Sequence, residues 1–139
     1  MKLSVKSDYA ARAVLGLARH AASGAPVPID ALARDNGIPP NYLVQILLEL
    51  KARNIVRSQR GKAGGYQLAR PPSEITLGDI VRCVHGQAFD TPAMRDPQCP
   101  PELQQAWNRV RSDVEAALDR ITFQQLADDD SAKAKMYYI

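Results

Sequence analysis

The sequence predicts a mainly α-helical chain carrying one small β-hairpin, and three observations predict it. Apolar residues recur at i, i+3, i+4 and i+7 through most of the chain, the period of helices that bury one face. One stretch, IVRSQRGKAGGYQLAR from Ile55 to Arg70, instead alternates apolar and polar residues on either side of a glycine-rich centre, as two short strands do. At 139 residues the chain is also long enough to bury a core without disulfide or metal staples.

The first helix is expected over Ser7 to Ala21, where Ala10, Ala13, Val14, Leu17, Ala18 and Ala21 share one face and Asp8 lies one turn from Arg12 on the other. Gly24-Ala25-Pro26 breaks it. A short helix from Ile29 to Asp35 buries Ile29, Leu32 and Ala33, and Gly37 suits a left-handed residue just past its end. Pro40 then fits the first turn of a third helix, where its missing N–H has no intrahelical partner, and Leu43, Ile46, Leu47 and Leu50 make the apolar stripe. Asn41, Tyr42, Gln45 and Glu49 are placed opposite that stripe. Two helices joined by a short glycine-containing turn match a helix-turn-helix, whose second helix offers its N-terminal polar side chains to the major groove of DNA. A plain pair of core helices would show the same periodicity.

The hairpin follows, with RGKAGG between its strands. Thr76 and Asp79 form a capping-box pattern that opens a helix bearing Leu77, Ile80, Val81 and Val84, stopped by Gly86. Gln87 to Pro101 holds four of the ten prolines and no period, so a loop is expected there. From about Glu102 to Ile121, Leu103, Trp107, Val110, Val114, Leu118 and Ile121 predict a helix on the order of 30 Å long. Such a helix suits a dimer element, with Leu103, Trp107, Val110, Val114 and Leu118 at the seam, although packing within one chain has the same signature. Thr122 starts a shorter helical turn with Phe123 and Leu126, and 128–139 is expected to be a mobile tail. The expected organisation is therefore a DNA-binding unit over 1–86, a loop over 87–101, a dimerisation helix with its short successor over 102–127, and the tail.

Net charge is only +3, but Lys51, Arg53, Arg57, Arg60, Lys62 and Arg70 fall in one run with no acidic residue among them. Such a run draws polyanions to one surface, or is simply a solvated loop. The N-terminus lacks the apolar core and cleavage site of a secretory signal, and charged residues interrupt every apolar window. A soluble, cytoplasmic protein with reduced thiols is expected.

A nucleotide-binding loop of the G-x-x-x-x-G-K-[ST] type does not fit the glycines, because G-K-A-G-G-Y sits between two strands with no helix following. A wing fits better: Arg60 and Lys62 reach DNA phosphates or a minor groove, while Gly61, Gly64 and Gly65 allow the turn and close approach. An ordinary hairpin with glycines for its turn alone is the plain alternative. On the preceding helix, Asn41 and Gln45 suit adenine edges, and Tyr42 and Lys51 suit phosphates. No cofactor is required by this pattern, and no enzymatic activity is expected. Cys83, His85 and Cys99 lack the tight C-x-x-C pairs of a structural zinc site, which favours inert thiols and a helix-end histidine.

MKLSVKSDYAARAVLGLA, the run from IPPNYLVQILLELKARN through GGYQLARP to IVRCVHG, and the W-x-x-V-x-x-x-V-x-x-x-L-x-x-I-T-F-x-x-L pattern together resemble the Rrf-two family of bacterial winged-helix regulators, the group of IscR and NsrR. The resemblance spans about residues 1 to 127. It implies a homodimer on a pseudo-palindromic operator, acting as a repressor, with the long helices crossing between subunits. Many members hold an iron-sulfur cluster through three closely spaced cysteines before the long helix, where this chain has only Cys99. A cluster drawn from Asp8, Cys83 or His85, and Cys99 is what the resemblance leaves conceivable, and thiol sensing through Cys99 is the other sensory alternative.

Overall fold

The computed structural model describes residues 2–129. Helix α1, Val5–Arg19, begins two residues before the expected start because Ser4 caps it, its hydroxyl accepting from the Ser7 amide at 3.2 Å. It ends before Ala21, and Ala21–Ser23 forms a separate 3-10 turn. Helix α2, Ile29–Asn36, closes on Gly37 at φ +64°, and α3, Pro40–Ala52, starts on its proline as expected. Strands β1, Val56–Gln59, and β2, Gly65–Leu68, pair antiparallel with Val56 opposite Leu68 and Ser58 opposite Tyr66. The capping box of α4, Leu77–Val84, is formed in both directions: the Asp79 amide donates to Thr76 Oγ1 at 3.1 Å and the Thr76 amide to Asp79 Oδ2 at 3.0 Å. Helix α5 covers Pro101–Asp119, and a last helix runs over 123–129, into the segment expected to be tail. The remainder of that expected tail lies outside the described residues.

Helix α1 is the centre of the fold, packing on α2, α3, α4 and β2. Its Ala10, Ala13 and Val14 are fully buried, small side chains that let α3 bring in Leu43, Ile46, Leu47 and Leu50, also fully buried. Each of those larger side chains contributes about 1.5–3 kcal/mol of burial. Phe123 completes the core from the far end of the chain. It is held there by a short antiparallel bridge in which the Leu77 amide donates to Ile121 O at 2.9 Å and the Phe123 amide to Ile75 O at 3.0 Å.

Two features position α5. Arg82 on α4 donates to Glu115 and Asp119, each at 2.7 Å, and the pairing holds its guanidinium above the ordinary arginine range. The segment 87–101, expected to be an aperiodic loop, is built against the start of α5. Pro92–Arg95 makes a 3-10 turn, Arg95 pairs with Asp90 at 2.7 Å, Gln104 donates to Asp96 O at 2.8 Å, and Phe89 stacks 5.9 Å from Trp107. None of the 19 residues of α5 is buried within the chain, and Leu103 and Val110 stand 44% and 40% exposed.

Candidate nucleic-acid interface

With Leu43, Ile46, Leu47 and Leu50 turned into the core, helical geometry leaves Asn41, Gln45 and Leu48 at the centre of the outer face of α3. Asn41 and Gln45 are exposed, as a groove-reading role requires. Two residues assigned to that face sit on its flank instead. Glu49 is half-buried and pairs with Lys6 of α1, and the Tyr42 ring meets Tyr9 edge-on at 5.4 Å while remaining 46% exposed. The flank is tied to α1 because positions 42 and 49 lie on the same side of the helix, seven residues apart.

The polar-face reading of α3 missed Val44 and Leu48, which are 51% and 54% exposed. Their signal was present in the sequence: four apolar residues already fill the buried stripe, so two more on this helix have no core to enter. Exposed aliphatic side chains beside Asn41 and Gln45 suit contact with thymine methyl groups.

On the other flank Lys51 Nζ donates to Ser58 Oγ at 2.8 Å, which joins α3 to the wing. Lys51 is thereby placed at the boundary between helix and hairpin, still exposed. Arg60, Gly61, Lys62 and Ala63 form the exposed hairpin tip, with Gly61 at φ +111° making the turn. Neither Arg60 nor Lys62 has an ion-pair partner among the described residues. Gly64 and Gly65 are accounted for by the chain itself. A Cβ on Gly64 would lie 2.3 Å from Gln59 O, and one on Gly65 2.3 Å from Val27 O. At Gly65 the close approach is to residue 27, which forms an isolated bridge with Tyr66. Tyr66 packs partly buried against the core, under the hairpin.

The sensory candidates are dispersed. Asp8 pairs with Arg12 on its own helix at 3.0 Å. Cys83 packs against the core and points its thiol at Glu49 O, 3.5 Å away. Burial pushes that thiol up, with Arg53 opposing, so the thiolate is disfavoured. His85 caps the end of α4, and the Cys99 thiol, half-exposed, faces Pro100 O. Among the described residues no three His, Cys, Asp or Glu side chains group to hold a metal ion. The donor set within one chain does not fit an iron-sulfur cluster.

A short tri-helical unit, a helix-turn-helix and a basic hairpin is the geometry of winged-helix regulators, and comparison with known proteins decides which. Residues 3–129 match the family described as Rrf2, iron-dependent transcriptional regulator. The chain belongs to the Rrf2 family. Its fold is that of the family's solved members: B. subtilis CymR, the global cysteine regulator, superposes with a TM-score of 0.81 at 30% identity, covering 92% of this chain and 97% of that one. T. potens IscR gives 0.76 at 34% identity, covering 95% and 90%. In sequence, Rv1287 of Mycobacterium tuberculosis is 40% identical over 135 residues, 91% of this chain and 81% of its own. CymR of Bacillus subtilis, an HTH-type transcriptional regulator, is 33% identical over the whole of both chains. This Rrf2 protein is thus a winged-helix transcriptional regulator and not an enzyme, and its family implies DNA binding. No helix among the described residues is long and apolar enough to cross a membrane.

Proposed function

We propose that this Rrf2 regulator acts in the cytoplasm as a homodimeric, sequence-specific DNA-binding repressor of a pseudo-palindromic operator. The observation that supports the reading is the exposure of Asn41, Gln45 and Leu48 on α3 and of Arg60 with Lys62 at the wing tip, with Lys51 bonded across the joint between helix and hairpin. Asn41 and Gln45 read base edges; Tyr42, Lys51, Arg60 and Lys62 meet phosphates. Gly64 and Gly65 act indirectly, by holding the wing in place. Repression by occupancy requires nothing beyond binding. The homodimer is supported by α5, where Leu103 and Val110 of the Leu103, Trp107, Val110, Val114 and Leu118 stripe stand exposed and the other three are only partly buried inside one chain. A second copy supplies the missing face.

The test begins with selection of bound duplexes from a random pool, together with light scattering for the mass in solution. A palindromic consensus and a dimer mass are expected. Against that consensus, Gln45→Ala should cost about 1–3 kcal/mol while leaving binding to random duplex unchanged. Lys62→Ala should weaken both and reduce the salt slope by about one. Equal losses on both duplexes for Gln45→Ala would remove the base-reading assignment, and a monomer mass would remove the dimer.

A further inference from the structure

The geometry points to a second binding site, for a small organic anion, on the side of the hairpin turned away from α3. A half-open cavity of about 500 Å³ lies between the C-terminal end of α1, the hairpin and the last helix. Its volume falls in the range of about 300–1,000 Å³ that accommodates metabolites, and it is concave, whereas duplex DNA is met by convex elements. The charged and polar lining is Arg57, Arg70, His20, Gln67 and Gln124, with no Asp or Glu among the described residues that line it. Leu17 and Val27, 2% and 7% exposed, belong to its apolar part.

The two arginines are presented differently from those at the wing tip. Arg57 stands opposite Gln67 in the strand register, and strand alternation turns this pair away from Ser58, which is occupied by Lys51 of α3. Arg57 Nε donates to Gln67 Oε1 at 3.3 Å, and the Gln67 amide in turn donates to Gly24 O. The guanidinium is thus set at the cavity with its terminal nitrogens still available. Arg70 comes from the GGYQLARP segment that the DNA-binding surface leaves unused. Its Nη2 lies 3.9 Å from Asp79, a carboxylate already engaged by the Thr76 amide and by Arg82. Its Nε is shielded from solvent and has no acceptor among the described residues. That atom is closed to solvent, so an anionic oxygen in the cavity would meet the rest of the Arg70 side chain, 39% exposed, with a charge-assisted bond. Two guanidinium groups, glutamine amides and an apolar wall together select a carboxylate or phosphate head on a short apolar body. Because the cavity walls come from α1 and both strands, an occupant would fix the hairpin against α1.

The experiment is independent of DNA binding. The full chain, labelled with nitrogen-15, is titrated with sodium butyrate and separately with inorganic phosphate at constant ionic strength, chloride serving as the control. Saturable shifts are expected at the Arg57 and Arg70 Nε–H signals and at the amides of Gly24 and Leu68, for butyrate if the head is a carboxylate and for phosphate if it is a phosphoryl group. Arg57→Gln, on an exposed strand position, and Arg70→Gln should each weaken binding about tenfold, the worth of one charge-assisted contact. The proposal is overturned if neither anion saturates, if the shifts centre on Arg60 and Lys62, if both variants bind as the parent does, or if a random DNA duplex moves the Arg57 and Arg70 signals in place of the small anions.

Discussion

Replacing Gly65 by alanine separates two accounts of the glycine pair in the wing. In the packing account, the new Cβ would sit 2.3 Å from Val27 O and 2.4 Å from Val27 C. Carbon contacts are comfortable only near about 3.5 Å, so the two backbones must part by on the order of an ångström. They are held by a reciprocal pair of bonds, Val27 N to Tyr66 O and Tyr66 N to Val27 O, both 2.9 Å. Losing both costs about 1–3 kcal/mol net, and keeping them forces an overpacking cost of similar size, about 1–3 kcal/mol. Either route predicts about 2 kcal/mol, which at about 4 °C per kcal/mol for a domain of this size lowers Tm by about 8 °C. Gly61→Ala is the control: its φ of +111° strains a side chain, but nothing lies within 4 Å of the new Cβ. That change should cost only about 1 kcal/mol. Circular dichroism melts and a shift assay on the selected operator read both variants. A Gly65→Ala protein that melts with the parent while losing DNA affinity would show that the glycine serves approach to DNA, and the backbone argument would fail.

Three further outcomes follow from the same contacts. Arg82→Leu removes the bonds to Glu115 and Asp119; because the side chain is 40% exposed, solvent screening limits the loss to about 1 kcal/mol, and a urea-denaturation gap that fails to shrink in high salt would contradict an ionic origin. At neutral pH iodoacetamide should label Cys99 well before Cys83, whose thiol is raised by burial; the neutral Cys83 thiol stabilises the fold below the ordinary thiol range, and that contribution is lost as pH rises through its folded value, so equal labelling in peptide maps would refute the burial. Replacing operator thymines by uracils under α3 should weaken binding about fourfold per contacted methyl at about 0.8 kcal/mol each, and Leu48→Ala should erase that difference; a Leu48→Ala protein that still distinguishes the two bases would assign the methyl contact elsewhere.

What the sequence made legible was governed by short-range rules. The α3 stripe, the Gly37 stop, the Thr76–Asp79 box and the hairpin each depend on residues within a few positions of one another, and each formed as expected. The departures share a different cause. Gly65 looked like a close approach to a ligand because Val27, the backbone it meets, is almost forty positions away, whereas the partners of Gly64, Gln59 and Gly61, lie within its own hairpin. The segment before α5 looked aperiodic because its order comes from Gln104 and Trp107, not from its own prolines. Glu49 passed for an outer residue until Lys6 was brought beside it. Val44 and Leu48 were available locally, and they were missed by asking only where polar residues fall.

Phe123 and Arg82 bear most directly on how such a regulator works. The helix proposed to join two subunits carries no buried residue of its own, yet its C-terminal end is fastened twice to the DNA-reading unit: through Arg82 to Glu115 and Asp119, and through the bridge that seats Phe123 in the core. A hinge at residue 120 would have left two heads free to find half-sites at many separations. Instead, in the proposed dimer, any rotation of one α5 against its partner is carried into α4 and from there to α1 and α3, which α4 also touches. In that proposed dimer the spacing of the two α3 helices would be set at the α5 seam, and it would have to match half-sites about 34–36 Å, one helical turn, or a multiple of that apart. An event at the seam or in the 87–101 segment packed on it can then change operator affinity without touching a single DNA-contacting side chain.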